Sequence, residues 1–159
     1  MRVIAIDPGY ERLGIAVIEK TEVGKEQLLY SDCFRTPAKE KFEERLFSIG
    51  REVERLILEY QPNNLAIENL FLSNNQKTAM RVAEVRGALL YIATKSSLSI
   101  KEMTPLQIKL AVTGDGKSSK DQIIRMVHLL LKIPSKKMLD DEYDAIAVGL
   151  AYFALHKNL

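Results

Sequence analysis

The chain has little of what would commit it to anything but an ordinary packed core. One cysteine, Cys33, stands among 159 residues, so neither an internal disulfide nor a cysteine-built zinc cluster is available. Its apolar-alternating neighbourhood reads as that of a small buried thiol. Histidines number two, His128 and His156, which leaves metal binding to oxygen donors. No run of 18 apolar residues, no signal-peptide pattern and no lipidation motif occurs, so a soluble, cytoplasmic product with no membrane partner is expected. Charge of one sign is lacking too. The 23 Lys and Arg against 21 Asp and Glu leave a net +2, which alone points to no polyanion. Repeats and low-complexity segments are absent.

What is present is a core. With 47% hydrophobic and 28% charged residues, the expectation is a single domain over residues 1–159. RVIAID (2–7), RLGIAVIE (12–19) and LLYSDCF (28–34) read as three antiparallel strands, turned at Pro8-Gly9 and at Gly24. From about Lys39 to Tyr60 the period changes to three or four, through Phe42, Leu46, Ile49, Val53, Leu56 and Ile57, which predicts an amphipathic helix ended by Pro62. LAIE (65–68) is then a strand, 74–97 a helix, 98–103 a strand, and helices are expected at 104–113, 120–132 and 141–156. This order predicts an α/β fold, a five-stranded mixed sheet flanked by helices and closed through right-handed crossovers.

Acidic residues break the pattern at three places. Asp7 and Glu68 each end a continuous apolar run, where an unpaired charge costs several kcal/mol, on the order of the penalty for a buried ion. If their strands are parallel neighbours, the two carboxylates meet across the crevice at the strand ends where ligands gather in α/β sheets. Asp141 and Asp144 lie three apart at a helix start and so share a face. An acidic first turn also complements the helix dipole, and Asp7 also suits an Asx-type turn; for these positions both readings stand. Glu68 has no such alternative.

Four carboxylates without cysteine partners suit a hard cation, Mg²⁺ with Mn²⁺ as a possible substitute, rather than zinc. Two such ions roughly 3.5–4 Å apart would activate water and stabilise the leaving oxygen of a phosphodiester. Metal-dependent phosphodiester hydrolysis is the chemistry this set fits.

Taken together, AIDPGYERLGIAVI, AIENLF and DEYDAIAVGLA resemble the RuvC family of crossover-junction endodeoxyribonucleases, in order and across almost the entire chain. The resemblance implies a ribonuclease H-like fold, with Asp7, Glu68, Asp141 and Asp144 as catalytic, metal-binding acids. Asp140, four residues before Asp144, is an alternative to Asp141. Phe71 matches the family aromatic that stacks on a base near the junction, and also reads as a core residue between Leu70 and Leu72. Lys109 and Lys120 match basic positions contacting DNA near the cut. With Lys117 and Arg81, and with Lys77, Arg86 and Arg125, they are candidate phosphate contacts. The implied activity is symmetric nicking of four-way (Holliday) junctions in recombination and repair by a homodimer, leaving 3′-hydroxyl and 5′-phosphate ends, with a preference for thymine-containing sites and with the RuvA–RuvB branch-migration complex as partner. The alternative is a ribonuclease H-like nuclease acting on an RNA–DNA hybrid or structured RNA.

AVTGDGKS misses the phosphate-loop pattern only at Ala111. That motif follows a strand, whereas PLQIKLAVT reads as helix, so a basic DNA-contacting loop is the expectation. A sugar-kinase or actin-like ATPase would need a second such domain. A catalytically dead junction-binding module would not need all four acids.

Overall fold

The computed structural model describes residues 1–69, 76–133 and 138–156. Ten elements follow one another: β1 (Arg2–Asp7), β2 (Arg12–Lys20), β3 (Glu26–Arg35), α1 (Phe42–Tyr60), β4 (Asn64–Glu68), α2 (Gln76–Lys95), β5 (Ser99–Met103), α3 (Pro105–Thr113), α4 (Lys120–Leu130) and α5 (Asp140–Leu155). The sheet runs β3-β2-β1-β4-β5. The first three strands are antiparallel, and β4 and β5 join in parallel. The expected mixed five-stranded sheet is therefore the observed one.

β1 is central, and its alternation of side chains decides the rest. Val3 and Ala5 face a core shared with α3, α4 and α5, joined by Ala16 and Ile18 of β2 and Ala66 of β4. Ile4 and Ile6 face the opposite core, made with Ile49, Val53 and Leu56 of α1 and Val85 and Leu89 of α2. Covered on both faces, the strand has no polar side, which is why its sequence is a continuous apolar run. Carried one step further, the same alternation points Asp7 and Glu68 to the α5 side. The inner residues on that side are small, and α5 is buried along most of its length, from Ala145 to Phe153.

Element edges differ from the sequence reading where tertiary contacts intervene. β3 starts at Glu26 rather than Leu28, because the 21–25 hairpin ties Thr21 to Lys25, and a bulge between Val17 and Ile18 absorbs the extra residue. α1 starts at Phe42 rather than near Lys39, since the Glu44 carboxylate accepts the Lys41 N–H at 3.0 Å and fixes the cap there. α4 stops at Leu130 because Leu131 turns extended and buries its side chain. Among the described residues no helix is long and apolar enough to cross a membrane.

Candidate active site

Asp7 and Glu68 come together through strand register. β1 and β4 pair in parallel up to Ile6 and Ile67, so the next residue on each strand is the carboxylate, and the two stand side by side at the carboxyl edge of the sheet. α5 brings the second pair. Its N-terminal turn rests on β2 at Gly14, the Asp7 partner in the β1–β2 ladder. A β-carbon on Gly14 would overlap the Asp141 carbonyl and lie 3.2 Å from the Asp7 β-carbon. Only a residue without a side chain lets the helix end approach this closely.

The electrostatics show how strongly the acids feel one another. Burial, then the charges of Glu68, Asp144 and Asp141, push the Asp7 carboxyl up to about 7, with Lys120 opposing. Burial, followed by Asp144, takes Glu68 to about 7 as well, with Lys109 opposing. Asp144 is raised chiefly by burial, against the pull of its hydrogen bond from Lys120. Each raised value is the signature of negative charge crowded into a place with little water.

Two of the four acids face cations. Lys120 Nζ donates to Asp144 at 3.0 Å and lies 3.4 Å from Asp140. Arg12 stands 3.5 Å from Asp141, whose carboxylate also accepts the Cys33 thiol at 3.7 Å. Among the described residues no three His, Cys, Asp or Glu side chains ring a single point as metal ligands do. The set nonetheless fits a hard divalent ion: every donor is a carboxylate oxygen, and positive charge offsets the burial and the mutual repulsion that raise Asp7 and Glu68.

Of the expected DNA contacts, two stand beside the acids. Lys109 lines a cleft of about 150 Å³ with Glu68, Asp144 and Ile108, and Lys120 reaches Asp144. Lys117 is exposed on the loop, its backbone N–H held by Asp115. Arg81 lies over the Phe42 ring at 4.0 Å and pairs with Glu84 at 3.0 Å. Phe71 lies outside the described residues. The near-miss phosphate loop follows a helix, α3, which ends on Gly114 with φ 79°.

Sequence reasoning missed three contributors. Gly14 carried a signal that could have found it, a glycine inside a strand. Arg12 and Cys33 carried no signal, because only β2 and β3 lying beside α5 gives them Asp141 as a neighbour. A fourth residue, Arg86, was read as a phosphate contact. It is half-buried, paired with Glu102 and hydrogen-bonded to Asn69 at 3.0 Å.

Comparison with known proteins adds an independent line. A family model described as crossover junction endodeoxyribonuclease RuvC matches residues 3–152. Over 152 residues the chain is 40% identical to the crossover junction endodeoxyribonuclease RuvC of Moorella thermoacetica, covering 96% of this chain and 90% of that one. The corresponding Desulfitobacterium hafniense protein is 39% identical, with 96% and 92% covered. Among solved structures, Thermus thermophilus RuvC in complex with a Holliday junction substrate matches with a TM-score of 0.89 and 28% identity, over 98% of this chain and 94% of that one.

Proposed function

The chain belongs to the RuvC family of crossover junction endodeoxyribonucleases, and from that premise we propose how its residues divide the work. The alternative of an RNA–DNA hybrid or structured RNA as substrate is not favoured. The observation that carries the reading is the Asp7–Glu68 pair on adjacent parallel strand ends, with the acidic start of α5 above it.

Asp7 and Glu68 would hold two Mg²⁺ ions, and Asp141 and Asp144 would complete the ligand set. When bound, the ions supply a Lewis acid and an activated water for phosphodiester hydrolysis. Lys109 and Lys120, already beside the acids, compensate the charge of an incoming phosphate. Phe71 stacks on a base near the crossover. Lys117 and Arg81 contact the arms. The four-way junction is the DNA recognised, as it is in the Thermus thermophilus complex.

A homodimer supplies two sites related by a dyad. Its interface uses the exposed stripe of α2 formed by Met80, Ala83, Gly87 and Tyr91: Met80 is 66% and Tyr91 69% exposed, and Gly87 has open space where a β-carbon would stand. We assign the chain one domain over residues 1–159, a cytoplasmic location, and the RuvA–RuvB complex as its partner in the cell.

The test offers the protein a labelled four-way junction, a linear duplex and an RNA–DNA hybrid, each with Mg²⁺ and with EDTA. Paired nicks in the junction alone, abolished by EDTA, are expected. Cutting confined to the hybrid, or cutting that survives EDTA, overturns the reading.

A further inference from the structure

Glu68 is the last residue of β4, and at that point the strand loses its neighbours. β1 has turned away at Pro8, and β5 ends at Met103, the ladder partner of Glu68. A carboxylate held by so short a strand end needs another anchor if its direction is to be fixed. The Asn69 N–H donates to the Met103 carbonyl at 2.8 Å, and α2 supplies the rest. From α2, Arg86 donates through Nε to the Glu68 carbonyl at 3.4 Å and through Nη2 to Asn69 Oδ1 at 3.0 Å, and the same Nη2 pairs with the Glu102 carboxylate. The Arg86 side chain is only 16% exposed, against 42% for that of Glu102.

The structure assigns Arg86 as a positioning residue for Glu68, rather than a contact to DNA. The Nε and Nη2 donors go to three acceptors inside the protein of different kinds, a backbone carbonyl, a side-chain amide and a carboxylate, drawn from β4, its exit and β5. A rigid guanidinium fork can bridge such a set, and an ammonium cannot: lysine would retain the charge and lose the geometry. Glu102 offsets the charge, so the group acts as a bolt between α2 and the two strand ends. This inference rests on Glu68 being a metal-holding acid.

Arg86→Lys separates positioning from phosphate contact. Positioning predicts that junction affinity and its dependence on salt stay as in the unaltered protein, while kcat at saturating junction falls about 10- to 100-fold, the range typical of residues that orient metal ligands. It also predicts that the Mg²⁺ concentration giving half of the metal-induced rise in melting temperature increases, a readout independent of turnover. Glu102→Gln, which loosens one arm of the bolt and leaves Arg86 in place, should shift both quantities the same way by less. A phosphate contact predicts the reverse for Arg86→Lys: weaker junction binding with a salt slope shallower by about one, and unchanged kcat and Mg²⁺ midpoint. That result overturns the proposal, as does Arg86→Lys and Glu102→Gln both keeping full kcat and the original Mg²⁺ midpoint. Glu68→Gln is the control for the underlying reading. If it cuts normally, Glu68 is not a metal-holding acid; if it is dead and Arg86→Lys is unaffected, only the role of Arg86 fails.

Discussion

The carbonyl of Asp141 occupies the space that a side chain on Gly14 would need, so the start of α5 and the middle of the sheet are in direct backbone contact beside Asp7. Gly14→Ala should force the helix end outward. Overpacking of this kind costs about 1–3 kcal/mol in stability, and the displacement of Asp141 should cost activity beyond that. Junction cleavage and thermal melting measured together check it: activity lost while most of the stability remains identifies the contact as a site constraint, and normal cleavage rejects it.

Asp7→Asn should abolish cleavage while leaving junction binding, and in the absence of metal it should make the protein more stable at pH 8. The sign follows from the raised carboxyl. Its folded value is about 7 against an ordinary 3.8, so between those limits the folded protein holds a proton that the unfolded chain has released, and stability falls as pH rises through that window. For Asp7 alone the upper bound is about 4 kcal/mol. Melting curves at pH 5 and pH 8 should show the substitution gaining at both, and by clearly more at pH 8, because pH 5 already lies inside the window. In the unaltered protein, Mg²⁺ should recover the loss.

Tyr10 follows the Pro8-Gly9 turn and is held by stacking. Its ring meets Phe42 edge-on at 6.1 Å, and the Arg45 guanidinium lies over it at 4.9 Å. Arg45 in turn donates to Thr36 at 2.8 Å, and the Thr36 hydroxyl donates to the Tyr10 carbonyl at 2.6 Å. Tyr10→Ala should therefore lower stability by about 2–4 kcal/mol and leave the junction dissociation constant unchanged. Weaker junction binding without loss of stability would place Tyr10 in the DNA groove instead.

These residues also mark what a one-dimensional reading can reach. Asp7 and Glu68 were legible because each carboxylate ends an apolar run, a local contradiction that strand alternation turns into a shared direction. The α5 acids were half legible, since a first-turn Asp serves a helix dipole as readily as a metal. Gly14 and Arg86 depended on what crosses them. A glycine within a strand signals a close approach without naming the partner, and the charge of Arg86 gives no sign in the sequence that Glu102 and Asn69 lie beside it. The β3 bulge and the α1 cap were hidden for the same reason, because hydrogen bonds outside the hydrophobic period set them.

The alternation along β1 has a genetic corollary. Adding one codon between positions 3 and 6 would send Asp7 toward α1 and exchange the strand's two buried faces at once, so it should yield a chain without activity and with little folded protein. An equal insertion at Val23, which is 80% exposed in the 21–25 hairpin, should be silent. Insertion tolerance scored codon by codon would trace the buried strands as sharply as any substitution scan, and it would do so without touching a single catalytic side chain.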